Sequence, residues 1–170
     1  MIGYREAGDR LVDSLTGAPW EDSLIYPILY LYRHHLELEL KPLVAYALRN
    51  FPGLEVDALE RKLADLKKNH DLGSLWNQLE YFYPRCNKGS SLEAQQSFRS
   101  LLKELTDQDP TGEAGRYETD VCGNQTLSRL TVVDAATFKA GIHKMSNYLR
   151  QIGVGIDLEI EGRREMENEC

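Results

Sequence analysis

Residues 26–44, the central part of one long predicted helix, constrain the fold of this chain more than any other segment. Their sequence is Tyr26-Pro-Ile-Leu-Tyr-Leu-Tyr-Arg-His-His-Leu-Glu-Leu-Glu-Leu-Lys-Pro-Leu-Val44. At about 100° per residue, their apolar side chains cover roughly half of the helix surface. His35 and Glu39 lie inside that apolar arc, one turn apart. Burying such a pair without partners costs several kcal/mol, so we expect it to meet polar groups inside the fold or to bind a ligand.

The opposite side of the same helix carries a second polar set: Arg33, His34, Glu37 and Lys41. Arg33, Glu37 and Lys41 follow one another at intervals of four residues, which allows successive ion pairs, each contributing a few tenths of a kcal/mol. Such a charged face is typical of solvent or of an interface with another protein. We therefore expect Arg33 and Glu37 to be exposed, with His34 beside them as an ordinary surface residue.

The composition is that of a soluble globular protein. The chain has 170 residues, of which 42% are hydrophobic and 28% are charged, and this length suits a single domain. The net charge is −7, with 27 acidic and 20 basic side chains. An acidic protein has no general attraction to nucleic acid, so any contact with RNA or DNA needs a local basic patch.

Cysteine usage and the absence of targeting patterns indicate a cytoplasmic protein. Cys86, Cys122 and Cys170 are widely spaced and form no CxxC motif, which argues against a disulfide framework and a cysteine-based zinc site. No apolar run has the length of a membrane span, and the N-terminus lacks a signal-peptide pattern. No Walker A, GxGxxG, GxSxG, HExxH or EF-hand pattern occurs, so we predict neither a cofactor nor a metal site.

Apolar spacing predicts further helices on both sides of this segment. A short helix covers residues 4–15, and the long helix is expected to start at a cap on Asp22 or Ser23 and to end near Asn50. Further helices are predicted over residues 59–68, 72–82 and 91–105. Asn69 or Asp71 is the candidate N-cap of the helix over residues 72–82.

The periodicity disappears between Thr106 and Val133, which predicts a long loop. This loop could hold a small hairpin with arms at residues 116–119 and 126–129. Asp134 then caps a last helix, and the charged tail, residues 159–170, is expected to fray. The sequence therefore predicts an all-α bundle of about five to six helices in one domain, residues 1–170, with a long loop before the last helix.

Several polar residues are candidates for a functional site. His35 and Glu39 could act as a base with its orienting carboxylate or bind a ligand, although a buried structural pair is the favoured interpretation. His70 precedes the cap Asp71 at a helix N-terminus, a place that suits a neutral imidazole and that also receives phosphates. Arg116 and Tyr117, in the long loop, could hold a phosphate and stack on a base, or Arg116 could pair with a core carboxylate such as Glu39.

Two stretches resemble the HEPN superfamily, the helical-bundle domains of prokaryotic toxin–antitoxin and phage-defence systems. They are Leu31-Tyr-Arg-His-His-Leu-Glu-Leu-Glu-Leu-Lys-Pro-Leu43 and His70-Asp-Leu-Gly-Ser-Leu-Trp76. The resemblance extends to Phe98–Leu105 and to Arg116-Tyr117 followed by Asp120 and Gly123. It implies a helical domain that forms a homodimer or joins a partner protein.

Many members of that superfamily are metal-independent ribonucleases with an Arg, four to six residues, then a His. No Arg of this chain has a His at that distance. Other members bind nucleotides or serve as inactive partners, so the first hypothesis is a non-catalytic module that binds a nucleotide, RNA or a partner protein. Its expected pocket combines these residues: His35, Glu39, His70, Asp71, Arg116 and Tyr117.

Two alternatives remain open. One is a metal-independent ribonuclease with a displaced motif, in which His34 or His35 is the base and Arg33 or Arg116 stabilises phosphate charge. The other is a structural adaptor whose buried polar residues fix the packing of the helices.

Overall fold

The computed structural model describes residues 3–51, 53–82, 92–109 and 134–168, and within these ranges the chain is an all-α bundle. The helices are α1 (Gly3–Asp13), α2 (Ile25–Asn50), α3 (Val56–Lys68), α4 (Leu72–Glu80), α5 (Leu92–Gln108) and α6 (Ala135–Asn168). A 3-10 helix, Pro19–Leu24, precedes α2. The predicted fold class is confirmed. The predicted hairpin, with Arg116 and Tyr117, lies outside the described residues.

Helix α2 is the centre of the bundle and packs against α1, α3, α4 and α6. Its fully buried apolar side chains recur every four residues: Ile28, Tyr32, Leu36, Leu40 and Val44. Four residues advance an α-helix by slightly more than one turn, so these side chains form one continuous stripe. His35 is buried beside this stripe, whereas Arg33 and Glu37 are buried by segments that pack on another side of α2.

Helix α1 approaches α2 closely at Gly8. A Cβ atom at Gly8 would lie 2.8 Å from Cε1 of Tyr32, closer than two carbon atoms can pack. The Tyr32 hydroxyl donates a hydrogen bond of 2.7 Å to Oδ1 of Asp9. Glycine at position 8 thus allows the aromatic ring to lie against the α1 backbone while its polar end finds a partner.

Two of the predicted helix caps are confirmed and one is wrong. Asp71 accepts a hydrogen bond from the Gly73 N–H, and Asp134 accepts one from the Ala136 N–H. Asp22 and Ser23 do not cap α2, because the chain enters that helix directly from the 3-10 helix. The buried carboxylate of Glu21 instead accepts from backbone N–H groups of the preceding turn, residues 16–18.

Helix α6 continues to Asn168, beyond Glu159, where we expected the chain to fray. Ile156 and Ile160 are buried one turn apart, so the apolar face of α6 extends into the charged segment. The Arg163 guanidinium lies 4.5 Å from the centre of the Phe51 ring, an attractive cation–π geometry. These contacts hold the helix against the end of α2.

Candidate functional site

Two polar clusters lie on different sides of α2. The Glu37 cluster consists of Arg33, Glu37, Lys41, His70 and Asp109. The Glu39 cluster consists of His35, Glu39 and Ser146. The pocket expected from the sequence would have joined His35 and Glu39 to His70 and Asp71. The structure instead divides these four residues between the two sides of the helix.

The Glu37 cluster is organised around one buried carboxylate. The Glu37 side chain is 3% exposed, and its Oε1 atom lies 2.9 Å from Nδ1 of His70 and 2.9 Å from Nζ of Lys41. Its Oε2 atom lies 3.7 Å from Nη1 of Arg33. Two cations and an imidazole therefore surround a single buried anion, which is the arrangement that makes burial of a carboxylate tolerable.

Arg33 connects α2 to two distant parts of the chain. Its Nη2 donates to the backbone carbonyl of His70 at 2.8 Å, and its Nε lies 3.2 Å from Oδ2 of Asp109. The prediction that Arg33 and Glu37 lie on an exposed face is wrong, since they are 4% and 2% exposed. The α3–α4 connection and Asp109, which follows α5, cover this side of α2. The spacing of charged residues along α2 does not reveal that these distant segments pack there.

The charge state of Glu37 determines how His70 is held. Burial raises the pKa of the Glu37 carboxyl, but Lys41 and His70 outweigh burial and leave the pKa below its ordinary value. Glu37 is therefore an anion at neutral pH, and the Nδ1–H of His70 donates to it. The His70 side chain is 52% exposed, so its Nε2 edge is available to solvent or to a ligand.

Lys41 and the C-terminal end of α3 lie near this imidazole. Lys41 donates to the backbone carbonyl of Lys67 at 3.2 Å, which places the C-terminal end of α3 beside the cluster. Lys67 and Lys68 are both exposed there. Asp71 is the acidic neighbour, but its carboxylate caps α4 through the Gly73 N–H at 2.8 Å. Arg33 and Lys41 are balanced by Glu37 and Asp109. Lys67 and Lys68 therefore form a small basic patch near His70 in a chain whose net charge is −7.

The Glu39 cluster confirms that His35 and Glu39 face inward and meet a polar partner. Nε2 of His35 lies 2.7 Å from Oγ of Ser146 on α6, and 3.4 Å from Oε1 of Glu39. His35 is 1% exposed and Ser146 is fully buried. The partner is therefore a hydroxyl from the last helix, which the sequence did not single out.

A serine, a histidine and a glutamate in contact resemble a nucleophilic triad, but this geometry is different. In a triad the carboxylate binds one ring nitrogen and the hydroxyl binds the other. Here the Glu39 carboxylate and the Ser146 hydroxyl both lie near Nε2 of His35. Ser146 is also inaccessible to a substrate. The arrangement suits a buried structural network.

The Glu39 carboxyl differs electrostatically from that of Glu37. Burial raises its pKa above the ordinary value, although the Ser146 hydroxyl and the positive charge of Arg5 act in the opposite direction. Its Oε2 atom is buried and makes no hydrogen bond in the described part of the structure. The predicted contact of Arg116 with Glu39 stays a prediction, because Arg116 lies outside the described residues.

Two other histidines of the sequence have different roles. His34 packs against the rings of Tyr4 and Tyr30, with ring centres 4.5 and 5.7 Å apart. His143 lies 2.9 Å from the carboxylate of Asp9 and joins α6 to α1. No local pattern could have identified that pair, because its members are 134 positions apart.

Neither a metal centre nor a membrane span is found in the described ranges. No group of three or more His, Cys, Asp or Glu side chains is placed to hold a metal ion there, and none of the described helices is long and apolar enough to cross a membrane. No protein-family model, curated protein or solved structure matches this chain. The resemblance to the HEPN superfamily therefore stays a prediction.

Proposed function

We propose that this chain is a non-catalytic, HEPN-like helical module that binds the phosphate groups of a nucleotide or of RNA at the Glu37 cluster. The observation that carries the proposal is His70. Its ring is half exposed, and a buried carboxylate holds its inner nitrogen at 2.9 Å. An imidazole fixed in this way presents its outer nitrogen in one orientation, which favours binding of a specific ligand over general charge attraction.

The surroundings of His70 favour an anionic ligand. A protonated imidazole donates from both nitrogens, so its Nε2–H can bind a phosphate oxygen while Nδ1–H stays on Glu37. Lys67 and Lys68 are exposed at the adjacent end of α3 and add positive charge. Because the rest of the chain is acidic, a phosphate-bearing ligand is attracted to this patch more than to other surfaces.

The ribonuclease alternative with His34, His35 and Arg33 receives less support. His35 is 1% and Arg33 is 4% exposed, so neither can contact a phosphodiester without rearrangement of the bundle. His34 packs against aromatic rings on α1 and α2. The structural-adaptor alternative agrees best with the Glu39 cluster, which is largely buried, and leaves the exposed ring of His70 without a role.

Binding to a fluorescently labelled single-stranded RNA and to ATP at low salt tests the proposal. We expect His70→Gln to weaken binding about tenfold, since a hydrogen bond to a charged group contributes about 1.5 kcal/mol. Changing Lys67 and Lys68 together to Gln should also weaken binding and reduce its salt dependence. His143→Gln is the matched control, because His143 is 40% exposed and also lies on a carboxylate.

The outcomes are distinct. Failure of the wild-type chain to bind either ligand, or equal binding by His70→Gln and His143→Gln, would disprove the proposal. Binding of RNA without ATP, or the reverse, identifies the source of the phosphate. If the chain cleaves the RNA in the presence of EDTA and His70→Gln does not, the chain is a metal-independent ribonuclease that uses His70 and not a binding module alone.

A further inference from the structure

Helix α3 is attached to the bundle less firmly than the other described helices. Among the described α-helices it alone has a single extensive packing partner, which is α2. Leu66 is the one buried side chain of α3, whereas Leu59 and Leu63 are only partly buried. Elements with few buried apolar contacts open at a lower free-energy cost than the core of a protein. Helix α3 is therefore the candidate for an opening that leaves the rest of the bundle intact.

The N-terminal end of α3 is loosely packed. A cleft of about 280 Å³ lies there, and its lining includes side chains from the α2–α3 connection, from α3 and from the ends of α2 and α6: Leu48, Phe51, Leu54, Leu59 and Arg163. Protein interiors are close-packed, so this cleft shows that the first turns of α3 are incompletely packed. The chain enters α3 through Gly53, whose φ of 116° favours glycine. Because glycine has the widest choice of backbone conformations, Gly53 is suited to act as a hinge.

The C-terminal end of α3 is held by the Glu37 cluster. Nζ of Lys41 donates to the backbone carbonyl of Lys67 at 3.2 Å. Two residues beyond the helix, Nη2 of Arg33 donates to the backbone carbonyl of His70 at 2.8 Å, and the His70 ring lies on Glu37. The contacts that fix this end of α3 are thus the same contacts that build the site proposed for phosphate.

On the basis of the phosphate site proposed above, we propose that α3 opens from α2 as a unit, with Gly53 as its hinge, and that bound phosphate holds it closed. Opening carries Lys67 and Lys68 away from α2 and releases the connection that holds His70. The site is therefore complete only while α3 is packed. A ligand that binds only the packed form shifts the equilibrium towards that form, so binding and closure are coupled.

Amide hydrogen exchange of the full chain without ligand, followed by mass spectrometry, tests the opening. We expect α3 to exchange at least about tenfold faster than the buried centre of α2, residues 32–44. Exchange in α3 should also depend less steeply on urea, because a local opening exposes less surface than unfolding of the whole chain. Equal exchange rates, or an equally steep dependence on urea, would show one cooperative unit and overturn the proposal.

A pair of variants tests the attachment of α3. Leu66→Ala should accelerate exchange in α3 at least about tenfold, since it removes the buried side chain that anchors the packed form. Val56→Ala is the matched control, because Val56 lies on the same helix and is 70% exposed. Equal exchange of α3 in the two variants would contradict the attachment through Leu66.

Exchange in the presence of the single-stranded RNA of the binding test, or of ATP where only ATP binds, tests the coupling. At a ligand concentration of about 100 times Kd, exchange in α3 should slow about 100-fold, because an open form that cannot bind is depleted by that factor. In His70→Gln at the same concentration, a tenfold weaker Kd should reduce the slowing to about tenfold. Binding without slowing would overturn the coupling and leave the phosphate site standing, whereas the absence of any binding would disprove both.

Discussion

Glu37 and Glu39 are two residues apart on α2, and their environments have opposite effects on a carboxylate. Glu37 lies among Arg33, Lys41 and His70, and Lys41 and His70 hold its pKa below the ordinary value in spite of burial. Glu39 has a histidine and a serine as its nearest polar partners, and burial raises its pKa. One glutamate is therefore stabilised as an anion, and the other is driven towards its protonated form.

This difference shows how a helix at the centre of a bundle distributes its polar groups. The side that faces the α3–α4 connection receives cations and keeps an exposed edge through His70. The side that faces α6 receives a hydroxyl and is largely buried. We infer that the first side is suited to binding and the second to fixing the helix packing. The following predictions test that distinction.

The largest expected effect is that of Arg33→Ala. Arg33 is buried and contacts Glu37, Asp109 and the His70 carbonyl. Removing one partner of a buried ion pair leaves an uncompensated charge. We therefore expect the free energy of unfolding of Arg33→Ala to be about 3–5 kcal/mol lower than that of the wild type. Chemical denaturation measures this. Arg49→Ala, an exposed site on the same helix, should change stability by less than about 0.5 kcal/mol. Equal effects at the two sites would contradict the role given to Arg33.

The second prediction compares Glu37→Gln with Glu39→Gln. At neutral pH, Glu37→Gln should destabilise the fold by about 1.5–3 kcal/mol, because Lys41 and Arg33 lose a charged partner. Glu39→Gln should be neutral or stabilising, since glutamine keeps the shape without a charge that burial disfavours. Denaturation at pH 7 gives both values. Glu39→Gln as the more damaging change would reverse our assignment of the two sides.

The pH dependence of these two variants should have opposite signs. A lowered pKa stabilises the fold above the ordinary glutamate value of 4.5, and this contribution disappears as pH falls through the lowered pKa. A raised pKa costs stability as pH rises from 4.5 through the raised value. As pH rises from below the lowered pKa to about 4.5, the stability of Glu37→Gln should therefore fall increasingly below that of the wild type, and the difference should then stay constant. As pH rises above 4.5, the stability of Glu39→Gln should gain on that of the wild type until the pH passes the raised pKa.

The smallest effect is expected for Ser146→Ala. This change removes the hydroxyl that lies 2.7 Å from Nε2 of His35, and loss of a buried hydrogen bond costs about 1 kcal/mol. Phosphate binding at His70 should be unchanged, because Ser146 lies on the other side of α2. Asn147→Ala, at the exposed neighbouring position, controls for changes in helix propensity. A loss of binding in Ser146→Ala with the fold intact would show that the two clusters are coupled.

The sequence by itself determined where the helices lie and that His35 and Glu39 face the interior of the bundle. Apolar spacing placed His35 and Glu39 inside, and the short polar side chains of Asp71 and Asp134 identified two helix starts. These features depend on neighbours within one or two turns, and the sequence contains that information directly. The same reasoning predicted the ion pairs of Glu37 with Arg33 and Lys41.

Only the tertiary structure decided that Arg33 and Glu37 are buried and which groups meet them. The His70 carbonyl is 37 positions from Arg33, Asp109 is 76 positions away, and Ser146 is 111 positions from His35. Periodicity shows that a helix has an apolar face, but it does not show what covers the polar one. Burial of a charged face depends on where distant segments pack, and hydrophobic contacts elsewhere in the bundle fix those positions.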